Sequence, residues 1–166
     1  MPRNWFITLV SILTLLGTQT IMAEEQPTFS KACSSEAHRA FDFWIGEWEV
    51  TTPKRKDWKA RSKITLGYGG CMIHEDYTSP QGYSGNSINF FDAKRQVWHQ
   101  TWMDNQGAAL FLEGEWSKGG MSLTDGINRI TWSSLDDGRV RQLWETTADE
   151  GKTWKVAFDG YYKRVK

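Results

Sequence analysis

Past its first two dozen residues this chain has no long apolar stretch, no paired cysteine motif, no histidine cluster and no surplus of either charge. Each gap excludes a class. Without a second apolar run, no downstream segment has the length of a membrane-spanning helix. The two cysteines, Cys33 and Cys71, lack C-x-x-C spacing, and the three histidines are scattered, so neither a redox pair nor a metal site is expected and no cofactor is called for. The 20 basic and 20 acidic side chains balance. That argues against nucleic acid as the main partner, because neutralising phosphates needs a basic surplus. The one basic run, Lys54-Arg55-Lys56 with Lys59, Arg61 and Lys63 behind it, reads as a solvated hairpin.

What is present begins with an export signal. Arg3 supplies a positive start, Trp5 to Leu16 is an apolar run too short to span a bilayer, and Met22-Ala23 before Glu24 offers a cleavage point. Residues 1–23 are therefore expected to be a signal peptide, 24–33 a flexible leader and 34–166 a single domain. Removal of the signal takes Arg3 and no acid, so 19 basic side chains face 20 acidic ones. The mature protein is expected in the periplasm or outside the cell, with no stable membrane insertion. In such an oxidising compartment Cys33 and Cys71 are expected to form a disulfide, stapling an N-terminal helix to a strand.

That helix is expected over 34–40, capped by Ser34 or Ser35, with Glu36 in its first turn where the helix dipole favours an acid. From Trp44 the period changes from helical to alternating. Strands are expected at Glu47–Thr52, Ala60–Leu66, Cys71–Thr78, Ser87–Asp92, Val97–Asp104, Ala108–Trp116, Gly120–Leu123, Asn128–Ser133, Arg139–Thr146 and Trp154–Tyr162. The joints carry turn chemistry, among them Gly69-Gly70, Asn105-Gln106-Gly107, Lys118-Gly119-Gly120 and Asp136-Asp137-Gly138. None is long enough for a crossover helix, so consecutive strands must be antiparallel neighbours. The expected fold is all-β, an antiparallel up-and-down barrel of about ten strands with a short N-terminal helix. Thr147 to Trp154 looks like the Asp-box hairpin of sialidase propellers, but a single copy is a well-made turn and no sign of glycosidase activity.

Alternation sorts the strand residues into two faces. Trp98, Gln100, Trp102 and Asp104 share one face, with Val97, His99, Thr101 and Met103 on the other. Val140, Gln142, Trp144 and Thr146 repeat the pattern against Arg141, Leu143 and Glu145. Ser87 pairs with Asn89, Ile73 with Glu75 and Tyr77, and Arg129 with Thr131. Large rings with a few polar groups are what a small-molecule pocket uses. Alternation alone leaves open which face looks inward. Catalytic constellations are lacking. His74, Glu75 and Asp76 are consecutive and cannot act as one cluster, and Gly85-x-Ser87 falls short of a G-x-S-x-G elbow. No catalytic residue is assigned.

Several motifs carry a resemblance. They are Phe41-Asp42-Phe43-Trp44-Ile45-Gly46-Glu47-Trp48-Glu49-Val50, Gly70-Cys71 with Glu75, Gly85-x-Ser87-x-Asn89-x-Phe91-Asp92 and Trp98-His99-Gln100-x-Trp102-x-Asp104. Further on come Arg129-Ile130-Thr131-Trp132, Asp137 to Glu145, Thr153-Trp154 and Phe158-Asp159-Gly160-x-Tyr162. On these the chain resembles an uncharacterised family of secreted bacterial proteins, a domain of unknown function with a lipocalin-like or calycin-like barrel. The resemblance implies the barrel and brings no established activity. Gly46-Glu47-Trp48 is similar to the G-x-W that opens lipocalin-type barrels. A more distant likeness is to nitrobindin-type haem barrels, which hold iron through a histidine near their C-terminal strands. The last histidine here is His99, which speaks against haem.

These readings converge on an exported barrel that binds a small, partly polar organic ligand, more readily a binder than an enzyme. The candidate ligand-binding residues are Glu75, Ser87, Asn89, Trp98, Gln100, Trp102, Arg129, Gln142 and Trp144. Two alternatives stay open: a hydrolase or isomerase using an interior carboxylate with His99, and a solid-core structural or stress protein of the envelope. A homodimer is also left open.

Overall fold

A computed structural model describes residues 32–117 and 119–165, with the backbone but not the side chain of Lys56. The expected signal at 1–23, most of the leader at 24–33 and the Lys118 corner of one turn lie outside the described residues. Ten strands follow one short helix, α1 (Glu36–Arg39): β1 (Gly46–Thr52), β2 (Arg55–Gly67), β3 (Met72–Thr78), β4 (Ser84–Asp92), β5 (Val97–Asp104), β6 (Ala109–Ser117), β7 (Gly120–Thr124), β8 (Asn128–Ser134), β9 (Val140–Thr146) and β10 (Lys155–Arg164). Each pairs antiparallel with its sequence neighbour, and β1 pairs with β10 to close the barrel. The expected fold class is the observed one.

Tight turns impose this meander, and the two-residue period then decides what lies inside. Trp48 and Val50, Ile73, Glu75 and Tyr77, Trp98 and Gln100, Ile130 and Trp132 are buried, while their strand neighbours are more exposed. Strand β2 starts earlier than expected. The basic run does form the expected hairpin: β1 and β2 pair antiparallel with Thr52 opposite Arg55, Pro53 and Lys54 make the turn, and the exposed Lys59, Arg61 and Lys63 alternate with the buried Trp58, Ala60 and Ser62. In β10 the register against β9 shifts between Val156 and Phe158. Val156 sits opposite Glu145 and Phe158 opposite Trp144, so the extra residue, Ala157, turns Phe158 inward.

One end of the barrel is filled. Ser35 caps α1 by accepting from the His38 N–H. A 3-10 turn at Asp42–Trp44 then lays Phe41 and Trp44 across the floor, with rings stacked 5.0 Å apart. Trp98 and Trp132 meet Phe41 edge-on. The Trp48 indole donates to the Trp44 carbonyl at 2.9 Å. Arg164, from the last strand, lies 4.3 Å over the Trp48 ring and donates to the Ile45 carbonyl at 3.1 Å. Gly46 is needed at this seam. Its φ is +148°, and a Cβ there would overlap the Arg164 guanidinium.

The plug is also fastened covalently. Cys33 and Cys71 form a disulfide, Cα atoms 5.0 Å apart, closing a sequence separation of 38 residues. Arg39 donates to the Gly70 carbonyl beside it. Replacing both cysteines by serine should lower unfolding stability by about 3–4 kcal/mol, because the unfolded chain regains the loop freedom that the bridge removes. Urea unfolding of the double variant against the oxidised protein measures this; a loss below about 1 kcal/mol would show that the plug holds without its bridge.

Candidate functional site

Above the plug the interior is not filled. A cavity of about 280 Å³ occupies the other half of the barrel, walled by Trp58, Tyr77, Tyr83, Trp102, Trp144 and Phe158 and floored by Tyr162 and Glu75. Gln100, Gln142, Leu110, Ile130 and Ala157 complete the wall, and Arg55 stands at the mouth. Gly85 makes room for one ring: a Cβ there would collide with the Trp102 indole and come within 2.6 Å of the Met103 carbonyl. Arg55 lies over the outer edge of this hollow, its guanidinium 4.9 Å from the Trp58 ring.

The polar groups form a directed relay across four strands. Asn89, on β4, donates to the backbone carbonyl of Ile73 at 3.2 Å. A carbonyl can only accept, so this contact fixes the amide's orientation. Asn89 therefore also donates to Ser87 Oγ at 3.0 Å and accepts from Gln100 Nε2 at 2.9 Å. Ser87, having accepted, donates to Glu75 Oε2 at 3.2 Å. Ser62, on β2, donates to Glu75 Oε1 at 2.7 Å.

Glu75 is fully buried, and desolvation pushes its carboxyl up to about 7, against the pull of the two serine hydroxyls. The phenols around it are held protonated. Burial and then the Asp104 carboxylate raise Tyr83 to about 12, while Tyr77 and Tyr162 are driven upward by burial and then by the Glu75 charge. Several other donors of the lining have protein acceptors. Trp58 gives its N–H to Gln81 at 2.7 Å, Trp144 to Asn128 at 2.9 Å and Tyr83 its O–H to Asp104 at 3.0 Å. Tyr162 donates to Gln142 Oε1.

Five of the residues expected at the site line the cavity: Glu75, Gln100, Trp102, Gln142 and Trp144. Ser87 and Asn89 are buried behind the wall and act through Glu75. Two expectations need correcting. Trp98 faces inward but sits in the plug, against Phe41 and Phe91, with its N–H on the Ala37 carbonyl at 3.1 Å. Arg129 is on the outer wall, because the inward residues of β8 are Ile130 and Trp132. There it pairs with Glu145 at 2.8 Å and lies 4.0 Å over the Trp154 ring. His99 is outside as well, stacked on Phe90 and 3.1 Å from Glu113, so it cannot serve an interior carboxylate. The Thr147–Trp154 segment is the expected braced turn, Asp149 accepting from Thr147 and Thr153.

Sequence reasoning missed Ser62, Trp58, Tyr83, Phe158 and Tyr162. Extending β2 backwards by its alternation would have found Trp58 and Ser62 together. Tyr162 stood in the Gly160-x-Tyr162 motif without an assigned place.

The fold and site define a closed antiparallel barrel with one filled end and an aromatic hollow holding a single buried acid. No protein-family model and no curated protein matches this chain.

The Glu75 carboxyl makes stability depend on pH with a definite sign. Its value is raised from the ordinary 4.5 to about 7, so the folded state holds a proton that the unfolded state has lost. The slope of unfolding free energy with pH is then negative between those values. Stability is greatest below about pH 4.5 as far as this group is concerned, and falls by about 3 kcal/mol as pH rises to about 7 and beyond. Glu75→Gln cannot ionise and should lack this loss. Urea unfolding of both proteins across that range checks it, and parallel curves would count against a buried proton on Glu75.

Proposed function

We propose that this chain is an exported barrel that binds a small, partly polar organic molecule in its aromatic hollow. The observation that carries the reading is the cavity of about 280 Å³, where flat rings surround the Glu75, Gln100 and Gln142 side chains. Rings supply contact area and the polar groups supply orientation, which is the composition of a ligand site. The signal-like segment at 1–23 and the Cys33–Cys71 disulfide support a periplasmic or secreted location. The resemblance to a secreted bacterial barrel family agrees with that location and adds no activity of its own.

A second reading has one specific observation in its favour. Glu75 is a cavity carboxyl that exchanges its proton near neutrality, the property of a general acid or base. A hydrolase or isomerase built on it would have to work without His99, which lies on the outer wall. The binding reading needs no such lone acid and accounts for the whole lining.

Native mass spectrometry of the protein recovered from its natural source tests the proposal. A discrete added mass that is released on denaturation, and that is lost or much reduced in Trp102→Ala, is the expected result. Trp102 also touches Tyr77, Tyr83 and Asp104, so the variant's barrel circular dichroism is recorded alongside and should be kept. A bound mass that survives the substitution unchanged would place the ligand elsewhere. A clean unliganded mass, with no thermal stabilisation by any member of a small-molecule library, would overturn the binding reading.

A further inference from the structure

The hollow sets one buried acid among aromatic rings. Its indole and phenol donors at Trp58, Trp144, Tyr83 and Tyr162 are engaged with protein acceptors. The relay fixed by the Ile73 carbonyl turns the Gln100 amide N–H toward Asn89, which leaves the Gln100 carbonyl as an acceptor. A ligand therefore meets the Gln100 carbonyl, the Glu75 carboxyl and the negative faces of aromatic rings, with donors at the Gln142 amide and the Tyr77 hydroxyl. Among the described residues, no cationic side chain pairs with Glu75, and the guanidinium at the mouth, Arg55, is exposed. A buried carboxylate without a counter-charge is costly, and its cost falls when a cation is brought beside it.

Taking the hollow as a binding site, as above, we propose that its ligand is an organic cation, an amine or quaternary ammonium held in the aromatic cage with Glu75 as its counter-charge. Aromatic rings attract a desolvated ammonium through their quadrupoles. The volume, about 280 Å³, accommodates an ammonium group carrying one ring. Binding then draws a proton off Glu75. The titratable and charged groups facing it are Tyr77 on its own strand, Tyr83 ahead of β4, Tyr162 on β10 and Arg55 at the start of β2. Asp76, the next residue on β3, adds a weak like charge. The three phenols stay protonated across neutrality, which leaves Glu75 as the member of this set that responds there.

Benzyltrimethylammonium and its neutral isostere neopentylbenzene separate the possibilities, each titrated by tryptophan fluorescence against the whole protein. The cation should bind about tenfold or more tightly at about pH 8 than at about pH 5, and release a proton as it binds at the lower pH. Glu75→Gln should weaken it about tenfold or more and abolish the pH dependence, while the neutral probe is indifferent to both. The wild-type pH profile reads the same linkage without any variant. A cation affinity that is flat with pH, or unchanged in Glu75→Gln, overturns the proposal. Binding of neopentylbenzene alone would overturn it and keep the hollow as a ligand site; failure of both probes would also overturn it, while the binding reading itself stands or falls on the mass measurement above.

Discussion

Everything in this barrel depends on how Trp48 closes it. The ring sits on the first strand, its N–H is given to the Trp44 carbonyl of the plug, and its outer face is covered by Arg164 from the last strand. One side chain thus joins the seam between β1 and β10 to the floor of the interior. The Val165 N–H on the Glu47 carbonyl, at 2.8 Å, continues the seam beyond the strand end. An open seam would leave two strand edges with unpaired backbone groups, ready to pair with another chain. A closed seam fixes the register of all ten strands, and with it which side chains point inward.

Closure also divides the interior. Helix α1 and the turn after it fill the floor with rings, so the volume left over collects at the far end. This is why the same strands supply both plug and wall. On β5, Trp98 belongs to the plug while Gln100 and Trp102 belong to the hollow. The boundary layer is Tyr162, which lies 6.3 Å from Trp44 by ring centroid and also lines the cavity. Placing a carboxyl just above that layer is unfavourable unless its lone pairs find donors. Ser62 and Ser87 provide them, and Asn89 holds Ser87 in the donating orientation.

Much of this was legible beforehand, for reasons that are physical. Turn residues and the two-residue period define strands, and a chain without crossover segments has little choice but a meander. That Gln100 shares a face with Trp102, and Gln142 with Trp144, was read correctly, while which way those faces look was left open. Depth along the barrel axis was not legible, because alternation sorts residues by face and says nothing about their height. Trp98 has the right parity and the wrong height, which only the placement of α1 decides. Arg129 failed on parity, since its polarity outweighed the plainer signal of Ile130 and Trp132 on the opposite face. The Phe158 side could not have been read at all without the bulge at Ala157, which reverses the faces within β10.

Both flanks of the folded unit gather at the filled end. The disulfide, α1 and the close of β10 all lie on the floor side, whereas Arg55, Trp58 and Tyr83 rim the opposite opening. Among the described residues the hollow lies at the end of the barrel away from the plug. The described chain enters near Cys33 and leaves at Val165, both on the floor side. Tethered to a surface by either flank, the molecule would stand with its opening turned away from the point of attachment, and immobilisation would not obstruct access to the interior.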